Sequence, residues 1–210
     1  YDGTAPTVII SSTESSPTNS SPIPITITFS ETVTGFIEGD ITISNATITE
    51  FSGSDDTYSF NATPSTDGAV TVDISADVCT DIAGNNNTAA NQFSITYDDT
   101  APATPTGLVA TSGNTHVVLT WTANSESDLA SYKVYGDTSA SPTTLLSTVS
   151  AGTETYTNTG LTNGTPYYYR ISAMDIAGNE SGYSNEVNTT PYYQGPTWHV
   201  STSGSDDNDG

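Results

Sequence analysis

The pattern Tyr-Asp-x-Thr-Ala-Pro occurs twice, at Tyr1–Pro6 and at Tyr97–Pro102, ninety-six residues apart. That offset is close to the length of one β-sandwich domain. A self-echo at domain spacing predicts a tandem array. The first copy stands at residue 1, where a natural N-terminus would carry Met or a signal peptide. The expectation is therefore a chain that begins inside a longer protein.

Within 210 residues there are 24 acids and 2 bases, a formal charge of −22. The first 97 residues hold 12 of the acids and neither base. Such a surface repels phosphate, so neither nucleic acid nor an anionic membrane is an expected partner. It also repels itself, and divalent cations would neutralise it. Cys79 is the only cysteine, which rules out an intrachain disulfide. The abundance of Thr, Ser and Asn reads as extracellular or cell-surface, and an exported domain without disulfides needs another staple, such as a metal. No run is long enough to span a bilayer as a helix, so membrane insertion is not expected.

Helical periodicity is absent and period-2 alternation pervades the chain. Ile23, Ile25, Ile27 and Phe29 share one face. The pattern continues through Ile41 and Ile43, Tyr58 and Phe60, then Val70, Val72, Ile74 and Ala76, and closes at Gln92–Tyr97. Turn signals separate these runs at Gly53–Asp55, Thr66–Gly68 and Gly84–Asn85. About seven short strands in under about 100 residues read as an antiparallel sandwich. The second half repeats the logic, with expected strands at Gly107–Thr111, His116–Thr122, Ser131–Gly136, Thr144–Val149, Glu154–Thr157, Tyr167–Met174 and Glu186–Thr189.

Specific residues carry resemblances. Leu119-Thr-Trp121, Tyr132-Lys-Val-Tyr135 and the run from Leu161 through Tyr167 to Ala173 resemble a fibronectin type III domain. The resemblance implies that Trp121 is buried and that Leu161 and Tyr167 form a tyrosine corner. Asp2–Pro6, Phe29-Ser-Glu31-Thr-Val33 and Asp81–Asn85 resemble a bacterial Ig-like domain of surface adhesins and secreted enzymes. Trp198–Gly210 resembles the opening coil of secreted right-handed parallel β-helix proteins. The expected fold is all-β: two tandem Ig-like/fibronectin III sandwiches in an extended array. Residues 1–97 form the first, 98–191 the second, and 192–210 the linker and start of a β-helix domain. Together the resemblances imply the stalk region of a secreted or cell-surface bacterial protein.

The pentapeptide Asp-Ile-Ala-Gly-Asn also occurs twice, at Asp81–Asn85 and Asp175–Asn179. In a sandwich this loop lies at the same end as the start of the first strand and the loop after the second. Carboxylates from three separated segments would then meet. Hard oxygen ligands suit Ca²⁺, which takes about 6–8 of them. The first expected calcium site is Asp2, Glu31 and Asp81 with Asn85 nearby. The second is Asp98 or Asp99, Asp128 and Asp175 with Asn179 nearby, at the joint between the domains. The competing reading is that Asp81 and Asp175 only bond loop amides, since Asp and Asn beside Gly are ordinary turn formers.

No catalytic residues or cofactor-binding residues are expected. There is no Gly-x-Ser-x-Gly. His116 reads as a solvent-facing strand residue, His199 lies in the tail, and Cys79 lacks a basic neighbour and reads as an inert buried thiol. The expected role is that of a non-catalytic spacer presenting a neighbouring domain of the same chain. Two alternatives stand beside it. One is an adhesion module that binds a glycan or surface protein, or assembles into a homopolymer. The other is the accessory region of a polysaccharide-degrading enzyme whose β-helix lies beyond residue 210.

Overall fold

In the computed structural model, residues 2–193 and 195 are described. Contacts divide the chain into two units. Tyr1–Pro102 and Met174–Glu180 form the first, and Ala103–Ala173 with the residues from Ser181 onward form the second. The fold is nearly all β, with Ig-like and fibronectin-like units in tandem.

In the first unit, strands β1 (Val8–Ser12), β2 (Ile23–Phe29), β6 (Thr57–Pro64) and β5 (Ala46–Ser54) form one sheet in the order β1-β2-β6-β5. The opposing sheet is β4 (Ile41–Ser44), β7 (Gly68–Ile74) and β9 (Phe93–Tyr97), in the order β4-β7-β9. A short pair, β3 (Val33–Thr34) with β8 (Thr80–Asp81), closes one end. All three pairings of the larger sheet and both of the smaller are antiparallel. The alternation in β2 is the reason. Ile23, Ile25, Ile27 and Phe29 are all buried, and Ile25 and Ile27 sit opposite Phe60 and Tyr58 of β6. From the other sheet Val70, Val72 and Ile74 face them. Each such side chain, fully buried, contributes about 1.5–3 kcal/mol.

Two departures from the sequence pattern have physical causes. Ala76 is exposed, because β7 ends at Ile74 and the chain turns outward. β5 carries no clear alternation, since it is an edge strand with a bulge between Thr49 and Ser52. Glu50 there takes φ +56°, the left-handed region, and its carboxylate accepts a hydrogen bond from Asn61 Nδ2 at 2.7 Å. The turn that follows requires glycine. Gly53 has φ +141°, and a Cβ on it would collide with the Thr57 carbonyl and the Tyr58 backbone. The end of the first core is capped by an aromatic group, Phe29, Phe36, Phe51 and Tyr58, with Phe36 5.0 Å from Tyr58 and 5.2 Å from Phe29. The exit of β9 is held by Thr18, which donates to the Thr96 carbonyl at 3.0 Å and accepts from the Asp98 amide at 2.9 Å.

The second unit pairs a three-stranded sheet with a four-stranded one. β10 (Thr106–Gly113), β11 (His116–Thr122) and β14 (Thr155–Thr159) form the first, in the order β10-β11-β14. β13 (Leu145–Ser150), β12 (Leu129–Asp137), β15 (Tyr167–Asp175) and β16 (Val187–Thr189) form the second, in that order. The core is Leu108, Val117, Leu119, Trp121, Tyr132, Val134, Tyr169, Ile171 and Ala173. Trp121 meets Tyr132 edge-on at 5.3 Å. The Tyr167 hydroxyl accepts the Thr162 amide at 3.1 Å beside the partly buried Leu161, which makes the tyrosine corner. His116 is half-buried at an outward position of β11, and its Nδ1 lies 3.0 Å from the Asn114 carbonyl. His199 and the tail Trp198–Gly210, where a β-helix start is expected, lie outside the described residues.

Candidate metal centre

The two pentapeptides build the same loop. The Asp81 amide donates to the Asn85 carbonyl at 3.0 Å, and the Asp175 amide to the Asn179 carbonyl at 3.1 Å. In return the Asn85 amide donates to Asp81 Oδ1 at 2.8 Å, and the Asn179 amide to Asp175 Oδ1 at 2.8 Å. Each asparagine side chain then bonds the second carboxylate oxygen of its aspartate, at 2.7 Å and 2.9 Å respectively. The same Nδ2 reaches the Tyr-Asp-x-Thr-Ala-Pro segment. Asn85 donates to the Asp2 carbonyl at 3.2 Å, and Asn179 to the Asp98 carbonyl at 2.9 Å. Asp2 and Asp98 finish the pattern by accepting the amides of Thr4 and Thr100, two residues on, at 2.9 Å and 3.1 Å. The repeated peptides are thus the two halves of a latch. Asp81 and Asp175 are buried at its centre, 3% and 2% exposed.

Around the first latch a third carboxylate arrives. Glu31 stands in the loop between β2 and β3, half-buried. One oxygen each of Asp2, Glu31 and Asp81 lies within 4.8 Å of the others, the one such group of three among the described residues. Thr32, Ile82 and Ala83 complete the shallow pocket that they line. The electrostatics are asymmetric. Burial pushes the Glu31 carboxyl above its ordinary value, and the charges of Asp2 and Asp81 push it further. Asp81 is held below its ordinary value, chiefly by the Asn85 side chain. The amides of Asn85, Gly84 and Ala83 assist, against the opposing effect of burial. Asp81 is therefore an anion already satisfied by donors, and Glu31 an anion opposed by its two carboxylate neighbours.

Residues 2–97 match the bacterial Ig-like domain, and residues 103–190 match the fibronectin type III domain. The chain is a bacterial Ig-like domain followed by a fibronectin type III domain. It is 40% identical over 121 residues to exoglucanase B of Cellulomonas fimi, a match covering 52% of this chain and 10% of that protein. It is 36% identical over 115 residues to chitinase A1 of Niallia circulans, covering 51% of this chain and 16% of that protein. These matches span a small part of each relative. A crystal structure of titin domains is similar in fold, with a TM-score of 0.56 at 17% identity, over 89% of this chain and 66% of that one. No helix among the described residues is long and apolar enough to cross a membrane.

The second expected ligand set is not gathered as the first is. Asp98 takes part in its latch through its carbonyl and through the turn to Thr100. Asp99 gives its amide to Asp67 Oδ1 at 2.9 Å, and the Thr100 hydroxyl donates to Asp67 Oδ2. These two donors, the hydroxyl first, hold the Asp67 carboxyl below its ordinary value. Asp128 belongs to the fibronectin domain, in the turn that enters β12. Glu126, which follows the second strand of its domain as Glu31 does in the Ig-like domain, is occupied elsewhere. Its Oε1 accepts the Ala103 amide at 2.6 Å and lies 3.5 Å from Asn124 Nδ2.

Sequence reading missed three residues here. Asp67 sits in a Thr-Asp-Gly turn signal, and its partners are 32 and 33 residues away. Asn87 lies in an Asn run, yet it is 2% exposed and its side chain makes four hydrogen bonds. Its Oδ1 accepts the amides of Val78 and Cys79, and its Nδ2 donates to the carbonyls of Ser75 and Thr88, all at 2.9–3.0 Å. Ser181 stands in the matching place after the second pentapeptide and accepts the Ala173 amide at 2.9 Å. Cys79 is buried, and burial, then the charge of Asp40, pushes its thiol up to about 11.

Proposed function

We propose that this chain is a non-catalytic accessory module of an extracellular bacterial protein that acts on polysaccharide. In that role it spaces and presents a neighbouring domain. One observation carries the reading. The chain shares its sequence with proteins named exoglucanase and chitinase over only 10% and 16% of their lengths, and Ig-like and fibronectin sandwiches are typically non-catalytic. Incubation of the chain with cellulose, chitin and starch should release no reducing sugar, and measurable release of any product would overturn the reading.

Calcium is the proposed cofactor, held at the N-terminal end of the Ig-like domain. Asp2, Glu31 and Asp81 would ligate it, with Asn85 keeping Asp81 and the Asp2 backbone in place. Oxygens on one calcium sit about 2.3–2.6 Å from the ion and hence up to about 5 Å apart, the spacing this trio has. The repulsion that Asp2 and Asp81 exert on Glu31 supports the same reading, because a cation would relieve it. Bound only by the folded state, calcium would raise the unfolding midpoint by mass action. Titrating calcium should raise the thermal midpoint of the wild type. Glu31→Gln should abolish the response, and EGTA should reverse it. A midpoint that calcium leaves unmoved would remove the metal from the proposal.

A further inference from the structure

The sheet β10-β11-β14 of the fibronectin domain differs from the other four in charge. The remaining sheets each include an acidic or basic residue: Glu50 in β5, Asp73 in β7, Asp81 in β8, and Lys133 and Arg170 in β12 and β15. Strands β10, β11 and β14 contain no Asp, Glu, Lys or Arg at all. In a chain of charge −22 this is a broad neutral surface.

Its exposed face is built from rows that cross the three strands. Val109 lies opposite Thr120, and Thr120 opposite Thr155. Thr111 lies opposite Val118, and Val118 opposite Thr157. His116 lies opposite Thr159. Thr111, Thr120, Thr155, Thr157 and Thr159 are exposed, and Val109 is 53% exposed. The alternate positions Leu108, Val117, Leu119 and Trp121 are buried, which fixes the threonines outward. Among the described residues β14 pairs only with β11, so its threonines border an edge that no described strand covers.

From this face we infer a docking surface for a neutral polysaccharide, an inference that rests on the accessory-module reading and names its partner. The match is one of chemistry. Threonine presents a methyl and a hydroxyl on one carbon, as a sugar ring presents C–H and O–H groups together. A neutral polymer laid on this face strips water from no charge of its strands, whereas on the sheets that carry Glu50, Asp73, or Lys133 and Arg170 it meets at least one ion whose desolvation is costly. A polyanion is disfavoured by the net charge.

The test is depletion of the chain from solution at pH 7.5 by insoluble cellulose, chitin and starch granules, one arm for each. The wild type should adsorb to at least one. The double variant Thr120→Glu, Thr157→Glu places charge at the centre of the face and should weaken adsorption at least about tenfold. Thr28→Glu adds charge to an exposed position of β2 in the Ig-like domain and should leave adsorption unchanged. Circular dichroism and the thermal midpoint verify folding, and Thr159→Glu alone replaces the double variant if that one unfolds. Failure of the wild type to adsorb in every arm, or equal losses in Thr28→Glu and the face variants, would overturn the inference. Neither result bears on the accessory reading, which falls only to sugar release by the wild type.

Discussion

The two Asp-Ile-Ala-Gly-Asn loops share four hydrogen bonds of one pattern, but among the described residues only the first collects three carboxylates. The difference lies outside the repeated peptides. Glu31 leans into its latch, whereas Glu126 turns to the Ala103 amide. A repeated peptide therefore repeats a scaffold. Whether that scaffold can hold an ion depends on one side chain from a separate loop.

The sharpest way to separate the loops is at the residues that follow them. Asn87→Ala strips partners from the buried amide of Cys79 and neighbouring backbone groups. It should cost about 3 kcal/mol in urea unfolding, since each stranded buried group costs about 1–3 kcal/mol. Ser181→Ala removes one accepted amide bond and should cost about 1 kcal/mol. Equal costs would mean that the loops are braced alike after all.

Next come the latch asparagines. Asn85→Ala and Asn179→Ala each lose the same two donated side-chain bonds, and Asn179→Ala also loses an exposed bond accepted from Asn19 Nδ2, so each should cost about 1–2 kcal/mol. A large cost at one and none at the other would break the equivalence of the latches.

The smallest effect is the pH dependence of the calcium-free protein. The folded value of Glu31 lies above its ordinary 4.5, so its ionisation opposes folding. That penalty is absent below pH 4.5 and grows as pH rises through the folded value. Asp81 has the opposite sign. Its folded value lies below the ordinary 3.8, so its contribution is present above that pH and is lost as pH falls through the folded value. Glu31→Gln should remove the loss on the alkaline side and stabilise the calcium-free protein at neutral pH, as read from thermal midpoints between pH 4 and 8. A midpoint profile unchanged by Glu31→Gln would show that its carboxylate is not strained by its neighbours. Glu126 is held below its ordinary value, chiefly by the Ala103 amide, so Glu126→Gln should destabilise instead.

Much of the fold was legible because buried alternation is local. β2 and β7 announce themselves through Ile23, Ile25, Ile27 and Val70, Val72, Ile74, and Trp121 and Tyr167 mark the fibronectin domain by their resemblance to that family's residues. β5 was obscured because a bulged edge strand buries little and so carries no periodicity. Phe36 caps the first core from an irregular segment and Phe51 from the bulge of β5, where no pattern flags an aromatic residue as packed inward. At the candidate site the repeated peptides were visible, as was Glu31. That Glu126 would not act likewise depends on the path of a loop and on which backbone amide it meets first. Asp67 and Asn87 were hidden for the same reason, since their partners are chosen by tertiary structure.

The kink at Glu50 has a consequence for crowding. β5 is a long margin of the Ig-like domain, and a strand from another molecule laid along it would meet a broken ladder and a carboxylate halfway. Such modules can be held at high local density and still refuse to zip together side by side.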